Sequence, residues 1–220
     1  MKPYFSDAQT TIYLADAREL LPQLKTFDLV IADPPYGMNY RSRSARWNGS
    51  KIVGDHALPV DLIRLAIEKA DRAAYIFCRW DNLVEMPKPK SLIAWVKNNW
   101  TMGDTKHSHG RQWEACAFYP KQGHTFISRI PDVIVAAKSG NKHHPTEKPL
   151  KVLERIIGAN VGADVLDPCM GSGSTLIAAR RLGRRSVGIE IEERNCEVAV
   201  QRLQQEARLL GEVSLKVSTR

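Results

Sequence analysis

The stretch "ADPPYG" at residues 32–37 follows the apolar run "FDLVI" and places a carboxylate, two prolines and a tyrosine in succession. Proline has no backbone N–H and a fixed φ, so Pro34 and Pro35 end the strand and keep the chain extended. The corner therefore offers the Asp33 carboxylate, the Pro34 carbonyl and the Tyr36 ring, but few donors. Two acceptors beside a flat aromatic ring suit a planar exocyclic amino group.

A second chemical motif, "ADVLDPCMGSGSTLIAARR", occupies residues 163–181. Here a strand leads through Asp167 into a turn with Gly171 and Gly173, and a helix follows, whose first N–H groups and partial positive charge favour a nucleotide-like ligand. The next strand ends at Glu190, about 20 residues further on, where a carboxylate can accept ribose hydroxyls. Neither a dinucleotide fingerprint nor a P-loop is complete, so this pattern predicts S-adenosylmethionine (SAM) as cofactor.

Two polar segments, residues 38–56 and 98–113, interleave basic and aromatic side chains. The first follows the strand that carries the "DPPY" stretch, and open α/β sheets bind ligands at the carboxyl ends of their strands. Basic residues contact phosphates and aromatic rings stack on bases, so both segments are candidate DNA-contacting loops, although a solvated surface loop is the simpler alternative for each. The candidate DNA-binding residues are Arg41, Arg43, Arg46, Trp47, Lys51 and Arg111.

The elements that must position these motifs are short apolar runs alternating with amphipathic stretches. Candidate strands are "TIYLA", "FDLVIAD", "AAYIFC", "SLIAWV", "WEACAFY", "DVIVAA", "DVLD" and "RSVGIE". Buried strands of four to six apolar residues, separated by helices, are typical of a parallel sheet that is covered on both faces. The sequence therefore predicts a doubly wound α/β fold.

Length and composition limit the organisation and the partners. The 220 residues suit one domain, 1–220, with ordinary globular usage of 43% hydrophobic and 25% charged residues. A net charge of +8 is compatible with nucleic acid as a partner, or with a basic surface that only aids solubility. Four scattered cysteines and histidines without partner ligands predict no disulfide framework and no metal site. The chain shows no signal peptide and no apolar run that would span a membrane, which predicts a cytoplasmic protein.

Three motifs together resemble the beta-group amino methyltransferases, which methylate adenine N6 or cytosine N4 in DNA. "ADPPYG" resembles the catalytic motif of that family, "HPTEKPLKVLERII" (residues 144–157) the segment before the cofactor loop, and "LDPCMGSGSTL" the cofactor loop itself. The order of the motifs, catalytic before cofactor, is also that of the family. Cys169 departs from the pattern, which usually has phenylalanine there.

The resemblance implies a mostly parallel seven-stranded sheet with one antiparallel strand, SAM as cofactor, double-stranded DNA as substrate and a homodimer. It implies a catalytic role for Asp33, Pro34, Pro35 and Tyr36 on a base flipped out of the duplex. It also places Asp16 near the SAM adenine, and Thr146 and Lys148 near its methionine end. Local structure offers alternatives for these three: an N-cap for Asp16, and helix initiation before Pro149 for the other two.

Several functions stay open at this point. Aspartate before "PPY" favours adenine, because cytosine N4 enzymes of this family more often carry serine there. An RNA base or a protein glutamine would also present a planar amino group to the corner. A cysteine nucleophile at Cys169 is a weaker hypothesis, since that residue sits within the cofactor loop. A catalytically silent SAM-fold protein that binds nucleic acid would be expected to have lost one of the two motifs, and both are intact.

Overall fold

A computed structural model describes residues 2–42, 47, 49, 51–99, 106–140, 143–144 and 146–211. Within these residues, nine strands form one sheet in the order β1-β2-β9-β8-β3-β4-β6-β5-β7. The strands are β1 (Phe5–Ser6), β2 (Thr10–Leu14), β3 (Phe27–Ala32), β4 (Ala70–Cys78), β5 (Ser91–Val96), β6 (Trp113–Pro120), β7 (Val133–Val135), β8 (Asp164–Asp167) and β9 (Arg185–Glu190).

The seven central strands confirm the predicted mostly parallel sheet. Strand β6 runs antiparallel to both β4 and β5, whereas β2, β9, β8, β3 and β4 pair in parallel. Two short edge strands extend the described sheet to nine: β1 pairs antiparallel with β2, and β7 pairs parallel with β5. The two-residue β1 is the strand that the apolar pattern did not predict, because its run is too short to show a period.

Helices cover both faces of the sheet. They are α1 (Ala17–Leu20), α2 (Val60–Glu68), α3 (Leu150–Ala159), α4 (Ser174–Arg181) and α5 (Glu193–Leu209), and 3-10 turns cover Leu21–Gln23 and Trp80–Val84. Successive side chains of β3 point to opposite faces, so Val30 packs in the core beneath α1 and α2, while Leu29 and Ile31 pack beneath α3 and α4. This two-sided burial explains why β3 reads as a continuous apolar run.

No helix of the described residues is long and apolar enough to cross a membrane.

Candidate active site

The two chemical motifs meet in one cleft of about 1090 Å³ at the carboxyl edge of the parallel strands. Strand β3 delivers the "DPPY" corner and β8 delivers the glycine turn, and these two strands are direct neighbours in the sheet. The two motifs are close because β8 and β3 are neighbours in the strand order of the sheet, although the motifs lie more than 100 residues apart in the chain. The predicted residues that line the cleft are Asp16, Asp33, Pro34, Pro35, Tyr36, Arg111, Thr146, Lys148, Asp167, Gly171 and Glu190.

The catalytic corner is held by side-chain hydrogen bonds. The Tyr36 hydroxyl donates to Asp33 Oδ1 at 2.7 Å, and Asn82 Nδ2 donates to the Tyr36 carbonyl at 3.1 Å. Burial, reinforced by the Asp33 charge, raises the pKa of Tyr36 well above its ordinary value, so the hydroxyl stays protonated and remains a donor. The tyrosine therefore fixes the carboxylate as well as presenting a ring to the cleft.

Lys148 contacts the same carboxylate from the segment that precedes α3. Its Nζ lies 2.5 Å from Asp33 Oδ2, and 5.5 Å and 5.2 Å from the ring centres of Tyr36 and Phe77. Helix α3 begins two residues later, at Leu150, so the segment does lead into a helix, as the alternative of helix initiation predicted. Sequence reasoning placed Lys148 beside the cofactor and missed its ion pair with the catalytic aspartate.

Two further charged residues continue this ion pair. Glu114, on β6, lies with Oε2 3.5 Å from Lys148 Nζ, and its other oxygen, Oε1, accepts a hydrogen bond from Lys97, the residue after β5. Burial opposes the charge of Glu114, but the two lysines outweigh it and lower its pKa. Neither residue carries a signal in the sequence beyond a lone charge at a strand end.

The cofactor motif presents two buried carboxyl groups. Burial raises the pKa of Asp167 to about 7, and it also raises the pKa of Glu190 against the opposing effect of backbone donors. Glu190 Oε2 accepts from the Gly171 N–H at 2.9 Å, which ties the end of β9 to the glycine turn. Gly171 adopts φ 50°, a left-handed conformation that glycine accepts without strain.

Gly173 has a packing role that the sequence did not indicate. It is not among the described residues that line the cleft; it precedes α4 with φ 80°. A Cβ at this position would lie 2.9 Å from Ala199 Cβ on α5. The structure thus shows Gly173 as a packing glycine between α4 and α5, and its contact with the cofactor stays a prediction.

Asp16 and Thr146 combine a local role with a place on the cleft. Asp16 Oδ1 accepts from the Arg18 N–H at 2.8 Å and caps α1, as the alternative interpretation expected, yet Asp16 also lines the cleft. Thr146 Oγ1 lies 3.2 Å from His144 Nδ1, and burial lowers the pKa of that histidine. Both residues are thus positioned by neighbours within two residues of the chain.

The two ends of segment 38–56 are joined by a buried aspartate that sequence reasoning missed. Asp55 accepts backbone hydrogen bonds from Gly37, Met38 and Tyr40, at 2.8, 3.2 and 2.6 Å. Its main-chain oxygen also accepts from the Asn39 N–H at 2.6 Å. These bonds hold the two ends of the segment together next to the "DPPY" corner. Asp55 lies about 17 residues from its partners in the sequence, and a single contact over that distance leaves no periodic pattern from which it could be predicted.

The candidate DNA contacts are partly described. Arg41 and Lys51 are exposed and pair as an isolated antiparallel bridge, and Trp47 stacks with the Arg194 guanidinium of α5, 5.6 Å from the ring centre. Arg111 is exposed on the cleft. Arg43 and Arg46, and positions 100–105 of the second segment, lie outside the described residues.

The described residues contain no group of three or more histidine, cysteine, aspartate or glutamate side chains that could hold a metal ion. Burial raises the pKa of the Cys169 thiol well above its ordinary value, with Asp167 and Glu190 adding to the effect. A protonated thiol is a poor nucleophile, which argues against the cysteine hypothesis.

The geometry agrees with the comparison against known families. Residues 89–201, about half of the chain, match the model of the N6/N4 methyltransferases, described as DNA methylase. The chain belongs to this family. The matched region includes the cofactor motif, Glu114 and Lys148. As a member of this family, the protein is a SAM-dependent DNA amino methyltransferase.

Individual relatives support the same assignment. The chain is 30% identical over 189 residues to a protein of Escherichia coli (strain K12) named as a methylase, YubD, with 80% of this chain and 81% of that protein covered. It is 27% identical over 253 residues to the type II methyltransferase M2.LlaDCHI of Lactococcus lactis subsp. cremoris, with 92% of each covered. The crystal structure of the M1.HpyAVI–SAM complex is similar at 26% identity and a TM-score of 0.67, over 88% of this chain and 98% of that chain.

The residues of the cleft fit SAM. The methionine part of SAM carries an ammonium and a sulfonium cation, which would stabilise the charged form of the buried Asp167 carboxyl group. Glu190, at the end of β9, would accept hydrogen bonds from the ribose hydroxyls. The left-handed turn at Gly171 brings the backbone close to the cleft. The volume of the cleft is sufficient for a nucleoside with an amino-acid tail. Asp167, Gly171 and Glu190 would hold the cofactor.

Proposed function

We propose that this methyltransferase transfers a methyl group from SAM to the exocyclic N6 of adenine at a specific site in double-stranded DNA. The observation that carries the proposal is the "DPPY" corner, in which Tyr36 and Lys148 fix the Asp33 carboxylate on the wall of the cofactor cleft. Aspartate at this position favours adenine over cytosine N4.

The chemistry must overcome the low nucleophilicity of an aromatic amino group, whose lone pair is delocalised into the ring. Asp33 and the Pro34 carbonyl would accept the two N–H groups, which turns the nitrogen toward tetrahedral geometry and frees its lone pair. Pro35 supplies no competing N–H, and Tyr36 would stack on the base. SAM, when bound, supplies an electrophilic methyl group.

Access to this corner requires the base to leave the duplex. The corner lies in a cleft at the edge of the sheet, and in duplex DNA the adenine amino group is paired with thymine and both faces of the base are stacked, so we infer base flipping. Alignment of the amino group in a fixed geometry accounts for much of the expected rate enhancement, and no covalent enzyme intermediate is needed.

The DNA would be gripped by the segment whose two ends Asp55 joins next to the corner. Exposed Arg41 and Lys51 are suited to phosphates, and Arg111 reaches the cleft from the opposite segment. Arg43 and Arg46 belong to the same proposal from the sequence. Trp47 would contribute an aromatic surface next to α5.

We also infer a homodimer and a role in restriction-modification. The dimer follows from the family resemblance, and light scattering on the purified protein, with and without DNA, tests it: a monomer in both conditions would refute it.

The restriction-modification role is suggested by the type II methyltransferase among the relatives. Protection of methylated DNA from a nuclease of matching specificity would support that role.

The deciding experiment incubates the protein with SAM and unmethylated DNA, digests the DNA to nucleosides and measures the products by mass spectrometry. N6-methyladenine is the expected product. N4-methylcytosine would keep the mechanism and correct the base. Neither product, from protein that binds SAM, would refute DNA amino methylation and point to an RNA or protein substrate, or to a silent binding protein.

A further inference from the structure

Four charged side chains of alternating sign form a continuous chain beneath the catalytic corner. In order they are Lys97, Glu114, Lys148 and Asp33, and they come from the end of β5, from β6, from the segment before α3 and from the end of β3. Asp33 acts in the proposed chemistry, and Lys148 fixes its carboxylate. Glu114 and Lys97 have no role in that chemistry so far, and their burial beside Lys148 needs an explanation.

Burial makes this arrangement demanding. The Lys148 side chain is 7% exposed and that of Lys97 is 5% exposed. A buried ammonium without a counterion would lose its charge or destabilise the fold. Burial alone would lower the pKa of Lys148, but Asp33 and Glu114 outweigh it and raise the pKa, so the ammonium stays charged.

The geometry ties the orientation of Asp33 to Glu114. Lys148 Nζ lies between the two carboxylates, 2.5 Å from Asp33 Oδ2 and 3.5 Å from Glu114 Oε2, and near the ring faces of Tyr36 and Phe77. Two carboxylates and two rings thus define the position of one ammonium. That ammonium in turn holds one oxygen of Asp33 while the Tyr36 hydroxyl holds the other.

We propose that Glu114 is a positioning residue for methyl transfer, which anchors Lys148 so that Lys148 holds the Asp33 carboxylate in its reactive orientation. Lys97 is the counterion that keeps Glu114 in place on β6. This inference rests on the proposed function, because Asp33 has to act as the acceptor for the target amino group. Glu114 touches neither the target base nor the transferred methyl group in this scheme.

The test compares Glu114→Gln with the wild type and with Glu68→Gln, an exposed control of the same chemistry on α2. Small displacements of a catalytic group are costly, so we expect Glu114→Gln to lower kcat about tenfold or more, with SAM affinity unchanged. Glu68→Gln should leave both unchanged. A wild-type kcat in Glu114→Gln overturns the proposal.

A pH profile separates positioning through charge from a general loss of structure. The titratable groups that face Lys148 are Asp33, Tyr36, Cys78, Glu114, Cys116 and His144. Removal of the Glu114 charge should lower the pKa of Lys148, because Glu114 is one of the two carboxylates that raise it, so the alkaline loss of kcat moves to lower pH. A kcat reduced equally at every pH, together with a Lys148 pKa unchanged from the wild type, would indicate a general loss of structure and overturn the proposal.

An NMR titration of the lysine side chains reads the same shift without any activity. It distinguishes the two failures: inactive wild-type protein refutes the proposed function, whereas an unshifted Lys148 in Glu114→Gln refutes this inference. Should Glu114→Gln fail to fold, Glu114→Asp carries the test, because it keeps the charge and withdraws the carboxylate by one methylene. Wild-type kcat in Glu114→Asp would then overturn the proposal.

Discussion

The buried carboxyl group of Asp167 makes a specific prediction about stability in the absence of cofactor. It is 3% exposed, and burial raises its pKa to about 7, with backbone and side-chain hydrogen bonds from Cys169 and Thr175 opposing the shift. An ordinary aspartate has a pKa of about 3.9, and a shift of one pKa unit corresponds to about 1.4 kcal/mol. Ionising Asp167 in the folded state therefore costs up to about 4 kcal/mol.

The sign of the pH dependence follows from proton binding. Between the two pKa values the folded protein holds a proton at Asp167 that the unfolded chain has lost, so this group lowers stability as pH rises from about 4 to about 7. Asp167→Asn removes the titration and keeps an acceptor for the Cys169 N–H. We expect its stability advantage over the wild type to grow by about 3 kcal/mol from pH 5 to pH 8.

Urea unfolding followed by circular dichroism at pH 5 and pH 8, without SAM, measures this difference. Asp164→Asn is the matched control at the other end of β8: Lys25 and Arg185 bond that carboxylate and, against burial, lower its pKa. It should destabilise the protein at both pH values. An Asp167→Asn advantage that is absent, or equal at pH 5 and pH 8, would refute the assignment of a raised pKa.

Three further predictions concern the corner, the glycine turn and the DNA segment. Asp33→Ala should abolish methyl transfer while SAM binding, measured by calorimetry, persists; turnover in this variant would contradict the acceptor role. Gly173→Ala should destabilise the protein by about 1 to 3 kcal/mol in urea unfolding, because its Cβ would meet α5. Gly183→Ala is the control: Gly183 also has a positive φ, 66°, but no atom lies within 4 Å of an added Cβ. It measures only the backbone strain, so it should lower the stability less than Gly173→Ala. Charge reversal at Arg41 and Lys51 together should weaken DNA binding uniformly across sequences and flatten its salt dependence, and an unchanged salt slope would exclude them as phosphate contacts.

Local signals in the sequence were sufficient for most of the fold. Short apolar runs predicted β2 to β9, and the amphipathic stretches between them predicted the covering helices, because burial on one or two faces leaves a period of 3.6 or an unbroken apolar run. The residues of the "DPPY" corner and the glycine turn were likewise readable, since proline and glycine constrain the backbone through their own chemistry.

What the sequence could not provide are contacts between distant segments. Lys148 and Asp33 lie 115 positions apart, and their ion pair depends on the register that sets β8 beside β3 and β6 beside β4. Glu114 is an isolated charge at the start of β6 and acquires its role only when that strand lies next to β4.

The sequence by itself thus determined most of the elements, the two motifs and the chemistry each can perform. The tertiary structure decided that Asp55 joins the two ends of the loop next to the corner, that Gly173 packs against α5, and that Lys148 belongs to the catalytic carboxylate. The physical reason is range: periodicity and backbone constraint act over a few residues, whereas ion pairs and close packing form wherever the sheet register brings side chains together.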